Sequence, residues 1–94
     1  MPVPGTVGPT ARAEVTLQRV GREAILHDQR HGRAHVINAA AARIWELCDG
    51  RPMDTLVAAF AEPYGRRPDE VDADVQRVLV GFRDLDLLEA EPTP

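Results

Sequence analysis

Histidines at 27, 31 and 35, acids at 69, 70, 72 and 74, and a single cysteine at 48 are the side chains of this sequence whose types could do chemistry. Intervals of four would set His27, His31 and His35 along one helix face as metal ligands, but the residues around them alternate as strands do, and His31 falls at a turn tip. They read as solvated hairpin residues. Asp69, Glu70, Asp72 and Asp74 open a helix on which Asp72 and Asp74 point about 160° apart, so they do not converge on a cation. Cys48 lies on an apolar stripe and has no partner for an internal disulfide, which indicates a structural thiol in a reducing compartment. No nucleophile is spaced against a base, and no glycine-rich phosphate loop is present. The chain therefore reads as a non-enzyme with no metal and no cofactor.

The elements that must position any binding site are organised around residues 35–50, HVINAAAARIWELCDG, where the hydrophobic period changes in mid-run. Before Asn38 the pattern is that of a strand. Asn38 is a preferred N-cap, and after it Ala41, Ile44, Trp45 and Cys48 recur at i, i+3, i+4 and i+7 on an alanine-rich helix that Asp49-Gly50 is expected to end. Upstream, Val15 and Leu17 alternate with polar residues in a strand over 14–20, Gly21-Arg22 is a turn, and a second strand covers 24–29. Arg30-His31-Gly32-Arg33 makes a tight turn into a third strand over 34–37. With His31-Gly32 as the central turn residues, Leu26 would face Ile37 and Asp28 would face His35. Downstream, Met53, Leu56, Val57 and Phe60 mark a second helix that Pro63 terminates, with Pro52 in its first turn. Asp69-Glu70 starts a third, whose stripe is Val71, Val75, Val78, Leu79, Phe82 and Leu85, with Val80 on the opposite face. Leu87 and Leu88 are expected to fold back onto the core.

The predicted order is three strands and then three helices, an α+β domain over 14–88 with a flexible tail at 1–13 and an acidic, proline-ended tail at 89–94. A chain of 94 residues is one small domain with no room for a deep catalytic cavity. Its 4% aromatic content means a core of Val, Leu, Ile and Ala. No apolar run approaches a membrane span and no signal peptide is visible, so a cytoplasmic protein without membrane contact is expected. All eleven basic residues are arginine, and residues 1–38 carry a net +2 against −6 for 39–94. That sign on the helical half argues against nucleic acid as partner.

The run VIN followed by small residues, then IWELCDG, a dozen-residue helix after that glycine, and the ending DVQRVLVGFRDLDLL together resemble the PqqD-like family, the recognition elements for precursor peptides of ribosomally made natural products. The resemblance extends from about Val15 to Leu88. It implies a winged helix-turn-helix-like fold that performs no reaction but binds the leader segment of a precursor peptide. The leader would add as a strand beside the third strand and pack toward the third helix, for delivery to a modifying enzyme such as a radical SAM enzyme or a cyclase/protease. On this sequence that groove corresponds to Arg33, Ala34, His35, Val36 and Ile37 with Val71, Val75, Arg77 and Val78. Here Ile37 would pack inward, with Val36 and Ala34 on the alternate face and His35 at the edge. Two positions depart from the family pattern: Pro52 stands where Ser or Thr often caps the second helix, and Asp86 where glycine often precedes the closing hydrophobic pair.

Two other readings compete, a winged-helix DNA-binding regulator and a structural oligomerisation domain using the open sheet edge and Val80. The first would need basic residues on a third helix that has only Arg77 and Arg83 among its acids. For the adaptor, a monomer or weak homodimer is expected. Because no ligand set converges, elemental analysis of tag-free protein should find less than stoichiometric metal; one equivalent of tightly held zinc or iron would contradict the reading.

Overall fold

A computed structural model of the chain describes residues 8–89. Three antiparallel strands, β1 (Val15–Val20), β2 (Glu23–Asp28) and β3 (Arg33–Asn38), form a sheet in the order β1-β2-β3. Three helices follow, α1 (Ala39–Glu46), α2 (Met53–Ala61) and α3 (Pro68–Asp84), with a single 3₁₀ turn, Glu62–Tyr64, after α2. This is the expected α+β order.

The strand-to-helix switch falls at Asn38, in extended conformation, whose side-chain oxygen accepts the Ala41 N–H (2.8 Å). That bond satisfies a first-turn donor that would otherwise have no intrahelical acceptor. α1 is shorter than the sequence suggests. It closes at Leu47, and Cys48 N–H bonds back to Trp45 C=O (3.0 Å) while Cys48 stays in the core. Pro52 supplies no side-chain cap to α2, but its carbonyl accepts the Leu56 N–H (2.9 Å). Pro63 falls in the 3₁₀ turn that follows α2, and Gly65 (φ 63°) reverses the chain.

α3 is held at both ends. Glu70 reaches back to accept the Arg67 N–H (2.9 Å) at its start. At its end Leu87 N–H donates to Phe82 C=O (2.9 Å) and Asp86 N–H to Arg83 C=O (3.0 Å), the paired bonds of a Schellman motif with Asp86 in the left-handed position (φ 58°). Glycine is the usual residue there. The strain in Asp86 is offset by contacts of its carboxylate with Arg12 (2.7 Å) and Arg30 (3.6 Å). The motif turns Leu87 and Leu88 into the core, as the sequence predicts.

The sheet and the helices enclose Leu26, Ile44, Leu56, Val75, Leu79 and Leu87, all fully buried. Trp45 of α1 meets Phe82 of α3 edge to face at 5.3 Å. Arg43 of α1 donates to Ala59 C=O of α2 (3.0 Å), tying the two helices together.

Residues 8–13 differ from the expected tail. Gly8 N–H donates to Gly50 C=O (3.0 Å), Gly50 N–H to Pro9 C=O (3.0 Å), Ala11 N–H to Cys48 C=O (2.8 Å) and Arg12 N–H to Leu87 C=O (3.1 Å). Pro9 is buried. Proline and glycine made the segment look loose, yet it threads between the α1–α2 connection and the C-terminal leucines, whose backbone groups need partners. Residue 89 is likewise tied, its N–H donating to Thr10 C=O (2.8 Å); positions 1–7 and 90–94 of the predicted tails lie outside the described residues.

At Gly8 an added Cβ would sit 1.8 Å from the Arg51 carbonyl oxygen. Gly8→Ala should therefore expel the segment and cost about 1–3 kcal/mol, read as a lower midpoint in urea denaturation.

Candidate functional site

β3 is the edge of the sheet that leads into the helical layer, and among the described residues its backbone pairs on one side only. The direction of each residue follows from the ladder. Gln29 N–H donates to Glu14 C=O (3.2 Å), continuing the register in which Glu23, Ile25 and His27 lie opposite Val20, Gln18 and Thr16. Antiparallel bonding alternates, so Ala24, Leu26 and Asp28 bond toward β3, and their partners Ile37, His35 and Arg33 bond toward β2. Among the described residues, Ala34 and Val36 are left with N–H and C=O directed at the open edge, and Asn38 with its N–H, its C=O turning into the first turn of α1. The other edge, on β1, is partly used, since Val15 N–H turns back to Arg12 C=O (3.1 Å).

The side chains sort by the same alternation. Ile37, His35 and Arg33 share the core face with Ala24, Leu26 and Asp28, while Ala34 and Val36 share the solvent face with His27 and Ile25. Val36 is 65% exposed, the most exposed large apolar side chain described. His35 thus projects to the same side as Ile37, half-buried, and not to a position between faces.

The hairpin register differs from the expectation by two residues. Leu26 faces His35, Ala24 faces Ile37 and Asp28 faces Arg33, leaving a four-residue loop over 29–32. The cause is Asp28, which is 3% exposed and whose Oδ1 accepts the Arg30 N–H (3.1 Å) and the His31 N–H (3.3 Å) while Oδ2 lies 2.8 Å from His31 Nδ1. This side-chain-closed turn replaces the two-residue one, and Gly32 (φ 62°) completes it. A shift of two keeps every side chain on its face.

Of the α3 residues assigned to the groove, Val71 (8% exposed) and Val75 (0%) belong to the core and present little or no surface. They lie on the stripe that packs against the rest of the protein, and the sequence pattern alone does not separate the centre of such a stripe from its margin. Val78 is half-buried at that margin. Arg77 is exposed and pairs with Asp74 at 3.2 Å. Leu85, read as part of the stripe, is 43% exposed beyond the helix end.

The histidines do not converge. His27 bonds Gln18 Oε1 (2.7 Å) on the solvent face, His31 bonds Asp28 in the loop, and His35 faces the core side. Among the described residues no group of three His, Cys, Asp or Glu could hold a metal. Burial pushes the Cys48 thiol up to about 12, which leaves it unreactive. A concavity of about 630 Å³ lies between the starts of α2 and α3, lined by Met53, Asp54, Val57, Pro68, Asp69 and Asp72. Two of its three acids have local roles: Asp54 accepts the Thr55 N–H (2.8 Å), Asp69 faces Arg67 (3.4 Å), and both sit where a helix dipole favours negative charge. No helix described is long and apolar enough to cross a membrane.

The family described as "Coenzyme PQQ synthesis protein D (PqqD)" matches residues 23–88. The chain belongs to the PqqD family. The PqqD match begins at β2 and takes in the open strand, all three helices and the closing leucine pair. A solved structure, "TbiB1 in Complex with the TbiA(beta) Leader Peptide", superposes with a TM-score of 0.73 at 22% identity, covering 89% of this chain and 99% of that one. At that identity the likeness concerns the fold. No curated protein matches.

Because the Asp28 turn sets where β3 begins, the edge depends on its ionisation. The His31 hydrogen bond holds the Asp28 carboxyl below its ordinary value of 3.8, against the opposing effect of burial. A carboxyl lowered by folding stabilises the protein above that ordinary value and ceases to do so as pH falls through the lowered one. Thermal melts taken downward from about pH 5 should show Tm falling with acid, and Asp28→Asn, already destabilised, should show a shallower fall.

Proposed function

We propose that this protein binds the leader segment of a ribosomally synthesised precursor peptide as a fourth strand beside β3 and presents it to a modifying enzyme. The observation that carries the reading is the set of outward backbone groups of Ala34, Val36 and Asn38 on a strand held extended between a closed turn and a capped helix. Strand addition draws affinity from such groups and selectivity from the side chains beside them. Membership of the PqqD family supports it, and so does the solved neighbour, whose title names a leader peptide as its partner. The DNA-binding alternative finds no support. The exposed residues of α3 include Asp69, Glu70, Asp72, Asp74 and Asp84, which would repel phosphates.

In this reading the groove is formed by Arg33, Ala34, His35, Val36 and Ile37, with Val78 and Arg77 at the flank of α3; Val71 and Val75 support it from inside. The net positive charge of residues 1–38 suits an acidic leader. The pathway and the class of enzyme, whether radical SAM, cyclase or protease, are decided by genes other than this one.

Titrating labelled protein with the leader of a precursor encoded nearby should move amides of residues 33–38. Shifts confined to α2 that spare this strand would refute the groove. Val36→Pro removes an outward N–H without touching the β2 ladder, so the fold should persist while affinity falls at least about tenfold. Arg77→Ala should weaken binding by no more than about fivefold, since that guanidinium is largely exposed.

A further inference from the structure

Two buried side-chain nitrogens among the described residues have no hydrogen-bond partner, His35 Nε2 and Arg43 Nε. Arg43 is anchored through Nη2 on Ala59 C=O (3.0 Å). The His35 ring has no such anchor. An unpaired buried polar atom is unfavourable, and each instance in a folded protein calls for a reason. Here the residue is an imidazole midway along the open strand, where leucine or valine would pack without that penalty.

Its position supplies the reason. His35 lies opposite Leu26, so its side chain is on the core side of the sheet, between Arg33 and Ile37 on the same face. A strand added beyond β3 places the residue next to His35 on this face too, at cross-strand distance. Turning the ring about Cβ–Cγ exchanges Nε2 with Cε1 and needs no backbone movement.

We infer that His35 is a specificity-determining residue of the β3 edge, its ring nitrogen hydrogen-bonding a carboxylate, hydroxyl or amide side chain of the docked peptide. The inference rests on the strand-addition reading and adds the chemistry of one peptide position. The neighbouring inward positions frame it: Ile37 takes an apolar side chain two residues away on one side, and exposed Arg33 an acidic one on the other.

The test is selection of a displayed random 12-residue peptide library on wild type, His35→Leu and His35→Gln. Wild type should enrich Asp, Glu, Ser, Thr, Asn or Gln at one position, with an apolar residue two places away. His35→Leu should lose that polar preference while keeping the apolar one, and His35→Gln should retain both. The best wild-type peptide should bind His35→Leu about tenfold more weakly, and the Tm of His35→Leu should be no lower than that of wild type. Identical profiles on wild type and His35→Leu would overturn the role of His35 alone. A Tm that falls in His35→Leu and is not restored in His35→Gln would show a structural residue and overturn it as well. Failure of all three proteins to enrich any peptide would overturn the strand-addition reading, and this inference with it.

Discussion

The hydrogen bond from the Ala41 N–H to the Asn38 side chain is the interaction on which the rest of the arrangement depends. It stops β3 and starts α1 within one residue, so the strand enters the helix with no slack between them. α1 is thereby set against the sheet, with Ile44 and Trp45 directed into the core, and Trp45 in turn receives Phe82 of α3. The same junction limits the open edge. Outward groups run from Ala34 to the Asn38 N–H and end where the backbone begins to bond within α1.

Closure at the other end is built from weaker and more numerous contacts. The Schellman turn after α3, residues 8–13 and the α1–α2 connection pair their backbone groups with one another where neither helix nor sheet could supply partners. Asp86 links them by charge, reaching Arg12 in the first segment and Arg30 at the hairpin. The Arg12 hydrogen bond holds its carboxyl below the ordinary range. The open edge of β3 offers backbone groups, one exposed valine and one unpaired imidazole nitrogen.

Much of this was legible in the residues. Asn38 before an alanine-rich apolar stripe, Pro63 after another, and the alternation around Leu26 determine three strands and three helices, because capping, helix breaking and period are local properties. The family resemblance rests on that legible core. The stripe of α3 also shows its inward side, and Leu79 and Phe82 lie there as expected.

What only the tertiary structure decided are the properties that depend on distant partners. The two-residue shift of the β2–β3 register comes from Asp28 gathering two backbone N–H groups and a histidine ring, a competition between turn types that spacing cannot rank. Burial of Val71 and Val75 depends on how closely α3 approaches its neighbours, and periodicity gives a direction without a depth. Residues 8–13 look like a tail because proline and glycine carry no hydrophobic signal, and they are ordered by carbonyls and amides found some 40 to 80 positions away in the chain. The same reason hid the unpaired nitrogen of His35: a sequence lists a donor or acceptor, but whether it has a partner is settled only when the chain has packed around it.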